Sequence, residues 1–200
     1  MKKRRSGKKN FWKENYTESW KYIVESRKFI YAILLIFFGF VILGAFLPVP
    51  DAIAEQIFEI IEELLLRTEG MSFLELMGFI FFNNLQTSFL GMIFGVVFGI
   101  YSVIITLVNG YLLGFISARA VSMDGLFILW RLFPHGIFEL PAVFISMGLG
   151  LKLGTFIFQK KRFESLKEYL KNSLRAFIFI ILPFLFVASI IESALIIFGR

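Results

Sequence analysis

The chain has 200 residues, 58% of them hydrophobic and 27 of them Phe, with a mean hydropathy of +0.77; a soluble domain of this length has no use for so much apolar surface. With no cysteine and a single histidine, it is excluded from disulfide scaffolds, thiol nucleophiles, thiolate metal sites and multi-histidine metal or haem centres. The formal net charge of +6 is unevenly distributed, and that distribution bears on topology.

Residues 1–28 form a basic arm, with ten Lys or Arg (Lys2 through Lys28) against Glu14, Glu18 and Glu25. Such an arm can meet nucleic acid. Because it adjoins a spanning helix, anionic lipid is the favoured contact, at about 1 kcal/mol per basic residue near the surface; nucleic acid is the disfavoured partner. Trp12, Trp20 and Tyr22 fit interfacial anchoring. The apolar run 29–47 is longer than the core of a secretory leader, and no small-residue cleavage site follows it, so it is expected to be an uncleaved span. Residues 48–80 then carry Asp51, Glu55, Glu59, Glu62, Glu63, Glu69 and Glu75 against Arg67 alone. The near absence of Lys and Arg places this loop outside. Within it, Ile53, Ile57, Ile60, Ile61 and Leu64 recur at helical spacing opposite the glutamates. This predicts an amphipathic helix near 51–67, capped by Asp51 and packed on the protein or a partner rather than on anionic lipid.

Four more spans are expected near 82–107, 111–133, 140–158 and 176–198. In the first of these, Gly91, Gly95 and Gly99 line one helix face as a packing seam. Asn109-Gly110 is a turn signal, with Gly114 close behind, so a tight helical hairpin is predicted there. The next span is crowded with Ser117, Arg119, Ser122, Asp124 and Arg131. Asp124-Gly125 predicts a broken or re-entrant segment, with Arg119 and Asp124 as intramembrane charges that can pair. The basic loop 159–175 belongs inside, like the N-terminal arm; parity then requires five crossings, a cytoplasmic N-terminus and an external C-terminus. Gly148, Gly150 and Gly154 suggest a second packing seam, and Pro183 a kink.

Between the third and fourth of the five spans lies Phe133-Pro134-His135-Gly136-Ile137-Phe138-Glu139-Leu140-Pro141. Pro141 suits the first turn of a helix. His135 and Glu139 are four apart, and the topology brings them to the outer half of the bundle with Asn83, Asn84 and Glu192. One reading is a site with His135 as acid, base or ligand. The other, favoured here, is a hydrogen-bonded network that sets helix registry, because polar groups in lipid must be satisfied. No cofactor or metal is expected from this set, and enzyme activity is the less favoured reading.

The ordered combination Phe82-Asn83-Asn84-Leu85, Ser88, Gly91, Gly95, Gly99, then Asn109-Gly110, Leu113-Gly114, then Pro134-His135-Gly136, Glu139-Leu140-Pro141-Ala142, then Gly148, Gly150-Leu151, Leu153-Gly154 resembles the stage II sporulation protein M family of integral membrane proteins. The likeness is tight over about residues 75–158 and holds elsewhere by pattern. It implies an all-α, polytopic, prokaryotic cell-membrane protein. In endospore formers the family's namesake holds peptidoglycan-degrading partners at the membrane, so the resemblance implies a scaffold for other membrane or envelope proteins, with a homo-oligomer as a further expectation. The residues keep two alternatives open: a small-solute transporter or channel using the polar cluster, and an intramembrane enzyme built on His135 and Glu139.

Overall fold

The computed structural model describes residues 10–47 and 51–198, with backbone alone at 51, 52, 124 and 128–138. Residues 1–9, which hold much of the basic arm, lie outside the described residues. Helices α1 (Phe11–Glu25) and α2 (Arg27–Phe46) are separated by Ser26, and α3 (Asp51–Thr68) follows α2. The long helices α4 (Phe73–Ile93), α5 (Ile100–Asp124) and α6 (Leu129–Gly154) come next, then α7 (Arg162–Ala176) and α8 (Leu182–Phe198). No strand occurs among the described residues. Five stretches are long and apolar enough to cross a bilayer: Arg27–Phe46, Phe73–Val96, Ile100–Met123, Glu139–Phe158 and a continuous run from Arg162 to Phe198. The fold is an all-α bundle of membrane-spanning helices.

Local chemistry accounts for the ends and bends. Ser72 and Glu75 form a reciprocal capping box that starts α4, with Ser72 N donating to Glu75 Oε2 at 2.8 Å. A short 3₁₀ turn over Phe94–Val96 ends it. The chain then reverses through two positive-φ residues, Phe98 (φ 55) and Gly99 (φ 73). This corrects the expected turn at Asn109-Gly110, which lies well inside α5. Asn109 donates its amide to the Ile105 carbonyl of its own helix at 2.8 Å. Gly110 is small for a different reason: a Cβ there would stand 2.6 Å from the Phe37 carbonyl oxygen of α2. Gly99 serves the reversal as well as the seam, since only a residue without Cβ takes that φ freely.

The break at Gly125 (φ 78) is present, but it closes α5 instead of interrupting a span. A 3₁₀ turn over Leu126–Ile128 leads directly into α6, which absorbs Pro134, Gly136 and Pro141 into one long helix. The segment read as 111–133 is therefore divided between α5 and α6, and Pro141 lies well inside α6 rather than in its first turn. In the last span, a π-helical stretch over Phe177–Ile181 precedes Pro183. A proline cannot donate to the carbonyl four residues back and its ring crowds that carbonyl; the wider π turn accommodates both faults.

Two seams hold the bundle. Along the first, α2 and α5 approach backbone to backbone: a Cβ at Gly114 would collide with the Val41 carbonyl, and one at Gly44 with the Tyr111 carbonyl. Along the second, the 3₁₀ turn after α4 meets α6 at Gly95 and Gly150, while Gly154 abuts the Gly99 amide. Serine hydroxyls tie the second seam. Ser146 Oγ donates to the Ser88 carbonyl at 2.6 Å, and Ser102 Oγ of α5 to the Gly91 carbonyl at 2.7 Å. Apolar side chains fill the remaining space, with Met92, Leu149, Ile180, Ile181 and Leu185 in one cluster and Ile33, Phe37, Phe144 and Met147 in another.

The amphipathic helix α3 packs on the protein. Ala54, Ile57 and Ile61 lie against Leu112, Phe115 and Ile116 of α5, and the Arg119 guanidinium stands 5.8 Å over the Phe58 ring. That contact gives Arg119 a partner; the Asp124 side chain proposed for it lies outside the described residues. The remaining apolar edge of α3 (Ile53, Ile60 and Leu64) and its glutamates face outward.

Candidate functional site

Side chains of three spanning helices meet in a polar cluster. Glu139 opens the spanning part of α6, Asn84 lies midway along α4, and Glu192 lies in the second half of α8. The Glu139 carboxyl shares side-chain hydrogen bonds with Glu192 and with Asn84. Asn83 donates its amide to Asn84 Oδ1 at 3.4 Å, at the edge of hydrogen-bond range. All three central residues are half-buried, whereas Asn83 is exposed. Asn84, Glu139 and Glu192 are thus brought together, with Asn83 at their edge. The His135 backbone lies one helical turn before Glu139, but its side chain is outside the described residues. Two carboxyl groups set beside a carboxamide offer acceptors on the carboxyls and a donor on the amide. That arrangement can store a proton or accept a cationic group. Among the described residues, no set of three or more His, Asp or Glu lies close enough to hold a metal ion.

A second polar centre lies at the opposite end of the bundle. Lys152 of α6 reaches between α1 and α7. Its Nζ donates to Ser26 Oγ at 3.0 Å, lies 3.9 Å over the Tyr22 ring and 5.4 Å from the Tyr169 ring. Tyr22 closes the cage by donating its hydroxyl to the Tyr169 carbonyl at 3.4 Å. Burial pushes the Tyr22 hydroxyl above the ordinary phenol range, so it remains a neutral donor. Glu25 and Glu168 add favourable charge near the ammonium. One signal was available: Lys152 is the only charge within the predicted span 140–158.

The remaining singled-out residues do mechanical work. Gly91, Gly95, Gly110 and Gly114 lie in the seams, and Asn109 faces outward from α5.

Fold and cluster together define a polytopic α-helical membrane protein with ionisable groups held among its spans. The chain belongs to the stage II sporulation protein M family, whose model matches residues 32–195 and so covers both seams, the carboxyl pair and Lys152. It is similar to an uncharacterised protein of Methanocaldococcus jannaschii, 32% identical over 110 residues. That match covers 50% of this chain and 62% of the relative's length. No solved structure matches the chain.

Proposed function

We propose that this protein is a rigid membrane scaffold that recruits other membrane or envelope proteins. The observation that carries this reading is the backbone-on-backbone packing of both seams: Gly114 on Val41, Gly110 on Phe37 and Gly95 on Gly150. Helices this close cannot slide without collision, which suits a fixed platform better than a gate. On that platform α3 presents Glu55, Glu59 and Glu62 outward, a charged surface for a partner. The excess of Lys and Arg in residues 1–9 and in α7 supports a cytoplasmic N-terminus, with α3 then outside. Crosslinking in native membranes followed by purification is expected to recover reproducible, stoichiometric partners. The triple charge reversal Glu55→Lys, Glu59→Lys, Glu62→Lys should lose them while thermal stability is kept. Recovery of the same partners by that variant would remove α3 as the docking surface.

The hydrogen-bonded carboxyls support a second reading, proton-linked movement of a small solute. Proteoliposomes carrying wild type and Glu139→Gln separate the two. Equal, background-level proton and solute flux in both would leave only the scaffold.

A further inference from the structure

The outward face of α4 carries two features that a lipid-facing surface does not explain. Gln86, the fourteenth residue of the span Phe73–Val96, is exposed. At 1.5 Å per residue it lies about 20 Å from one end of that span and 15 Å from the other, in the hydrocarbon interior. An amide left facing lipid there costs several kcal/mol. Eight residues earlier, about 80° round the helix, lies the half-buried Gly78, where an added methyl would meet no atom within 4 Å beyond its own helix backbone. The other glycines of α4 and its 3₁₀ turn, Gly91 and Gly95, are consumed by packing against α6. Gly78 leaves that stretch of the helix open to close approach. Phe82 stands between Gly78 and Gln86 and is 66% exposed. Asn83, also exposed, flanks Gln86 one turn away.

We propose that this face is covered by α4 of a second copy of the chain, in a dimer with its twofold axis along the membrane normal. The hydrogen-bonding chemistry favours a copy. Two chains inserted with the same topology run parallel, so each residue near the axis meets its own counterpart at its own depth. A carboxylate or ammonium would repel its twin in that position. A carboxamide donates and accepts at once, so Gln86 is complementary to Gln86 of a second copy, and Asn83 can add to the same ladder. Gly78 lets the two backbones converge one end of the helix, and Phe82 packs between. This inference does not rest on the scaffold reading, since a dimer forms whether or not other proteins are recruited.

The chain has no cysteine, so single cysteines report cleanly. Phe82→Cys, oxidised in native membranes, is expected to give a covalent dimer at twice the chain mass. Ile104→Cys, equally outward on α5, is expected to give none. In purified protein reconstituted in nanodiscs, Gln86→Leu is expected to weaken dimerisation about three- to tenfold, the range for one interhelical amide contact in lipid. Phe82 and Gln86 face outward, so neither substitution disturbs the core. A crosslinked product of any other mass from Phe82→Cys would assign the face to a different protein and overturn the dimer. Monomers alone in nanodiscs, or equal crosslinking from Ile104→Cys, would overturn it as well.

Discussion

If the α2–α5 seam is a backbone contact, one methyl group should damage it, and an identical methyl on an open face of α2 should not. Gly114→Ala provides the first case. The added Cβ would collide with the Val41 carbonyl oxygen, stand 2.8 Å from the Val41 carbonyl carbon and 3.0 Å from the Ala45 nitrogen. All three are backbone atoms, so no side chain can rotate away, and the helices must separate by roughly 1 Å to restore ordinary contact. Overpacking of this kind costs about 1–3 kcal/mol. Against it, Ala gains about 0.5–1 kcal/mol over Gly in a helix. The net expectation is a loss of ~0.5–2 kcal/mol, a fall in Tm of about 1–8 °C for a chain of this size. Gly39→Ala is the control, since its methyl meets nothing within 4 Å; it retains the propensity gain and should be neutral to slightly stabilising. Thermal unfolding of the two variants in one detergent, at one protein-to-detergent ratio, measures the difference. Equal stabilities for Gly114→Ala and Gly39→Ala would refute the claim that carbonyl-to-glycine contact sets the distance between α2 and α5.

Lys152→Met should loosen α1 from α7 by about 0.5–2 kcal/mol through loss of the aromatic cage, read as faster proteolysis within residues 11–25 while the spans stay protected. Glu139→Gln keeps a donor and an acceptor for Glu192 and Asn84 and should unfold close to wild type. Glu139→Leu takes away those hydrogen bonds and should cost about 1–3 kcal/mol, so the order Gln above Leu in Tm is the test. Ser72→Ala removes the hydroxyl half of the α4 capping box, while the backbone N–H at position 72 can still donate to Glu75; it should cost ~0.5–2 kcal/mol, detected as faster hydrogen exchange than wild type in the first turn of α4.

Much of the architecture was legible from hydropathy alone. Lipid allows few solutions for a run of 20 apolar residues, so four of the spans and the amphipathic helix follow from length and periodicity, and the fifth crossing follows from the charge of the loops. Helix ends were not legible, because in lipid a glycine has two uses that look alike in sequence. Asn109-Gly110 reads as a turn in water, where the turn competes with a solvated helix. In α5 the helix is retained since breaking it would strand backbone groups in hydrocarbon, and Gly110 is spent on approach to Phe37. The real reversal includes Phe98 at φ 55, a residue that no turn rule favours. The approach of Glu139 to Glu192 could be reasoned from topology, because counting residues along a span places a group; Asn84, expected at the start of the span near 82–107, lies instead midway along α4. Lys152 escaped for the opposite reason. Its partners Ser26, Tyr22 and Tyr169 come from segments that read as solvated arm and loop, and only the docking of α1 on α7 brings them to one point.

The polar residues of α4 divide into an inward and an outward set, and the contrast between them bears on the size of the working unit. Asn84 turns inward and is spent on Glu139; Ser88 gives its carbonyl to Ser146 and Gly91 its carbonyl to Ser102. Every one of those contacts is within a single chain. Gln86, two residues beyond Asn84 along the helix, is rotated by about 200° at 100° per residue and faces away from all of them. Had the polar content of α4 served registry within the monomer alone, leucine would suit position 86 as well as it suits lipid. A helix that carries one amide inward and another outward at similar depth is what the proposed dimer would use on both faces. The bundle of one chain supplies the first flank. Under the proposed dimer the second flank is α4 of another copy, and loss of association on Gln86→Leu is the outcome that ties the amide to that flank.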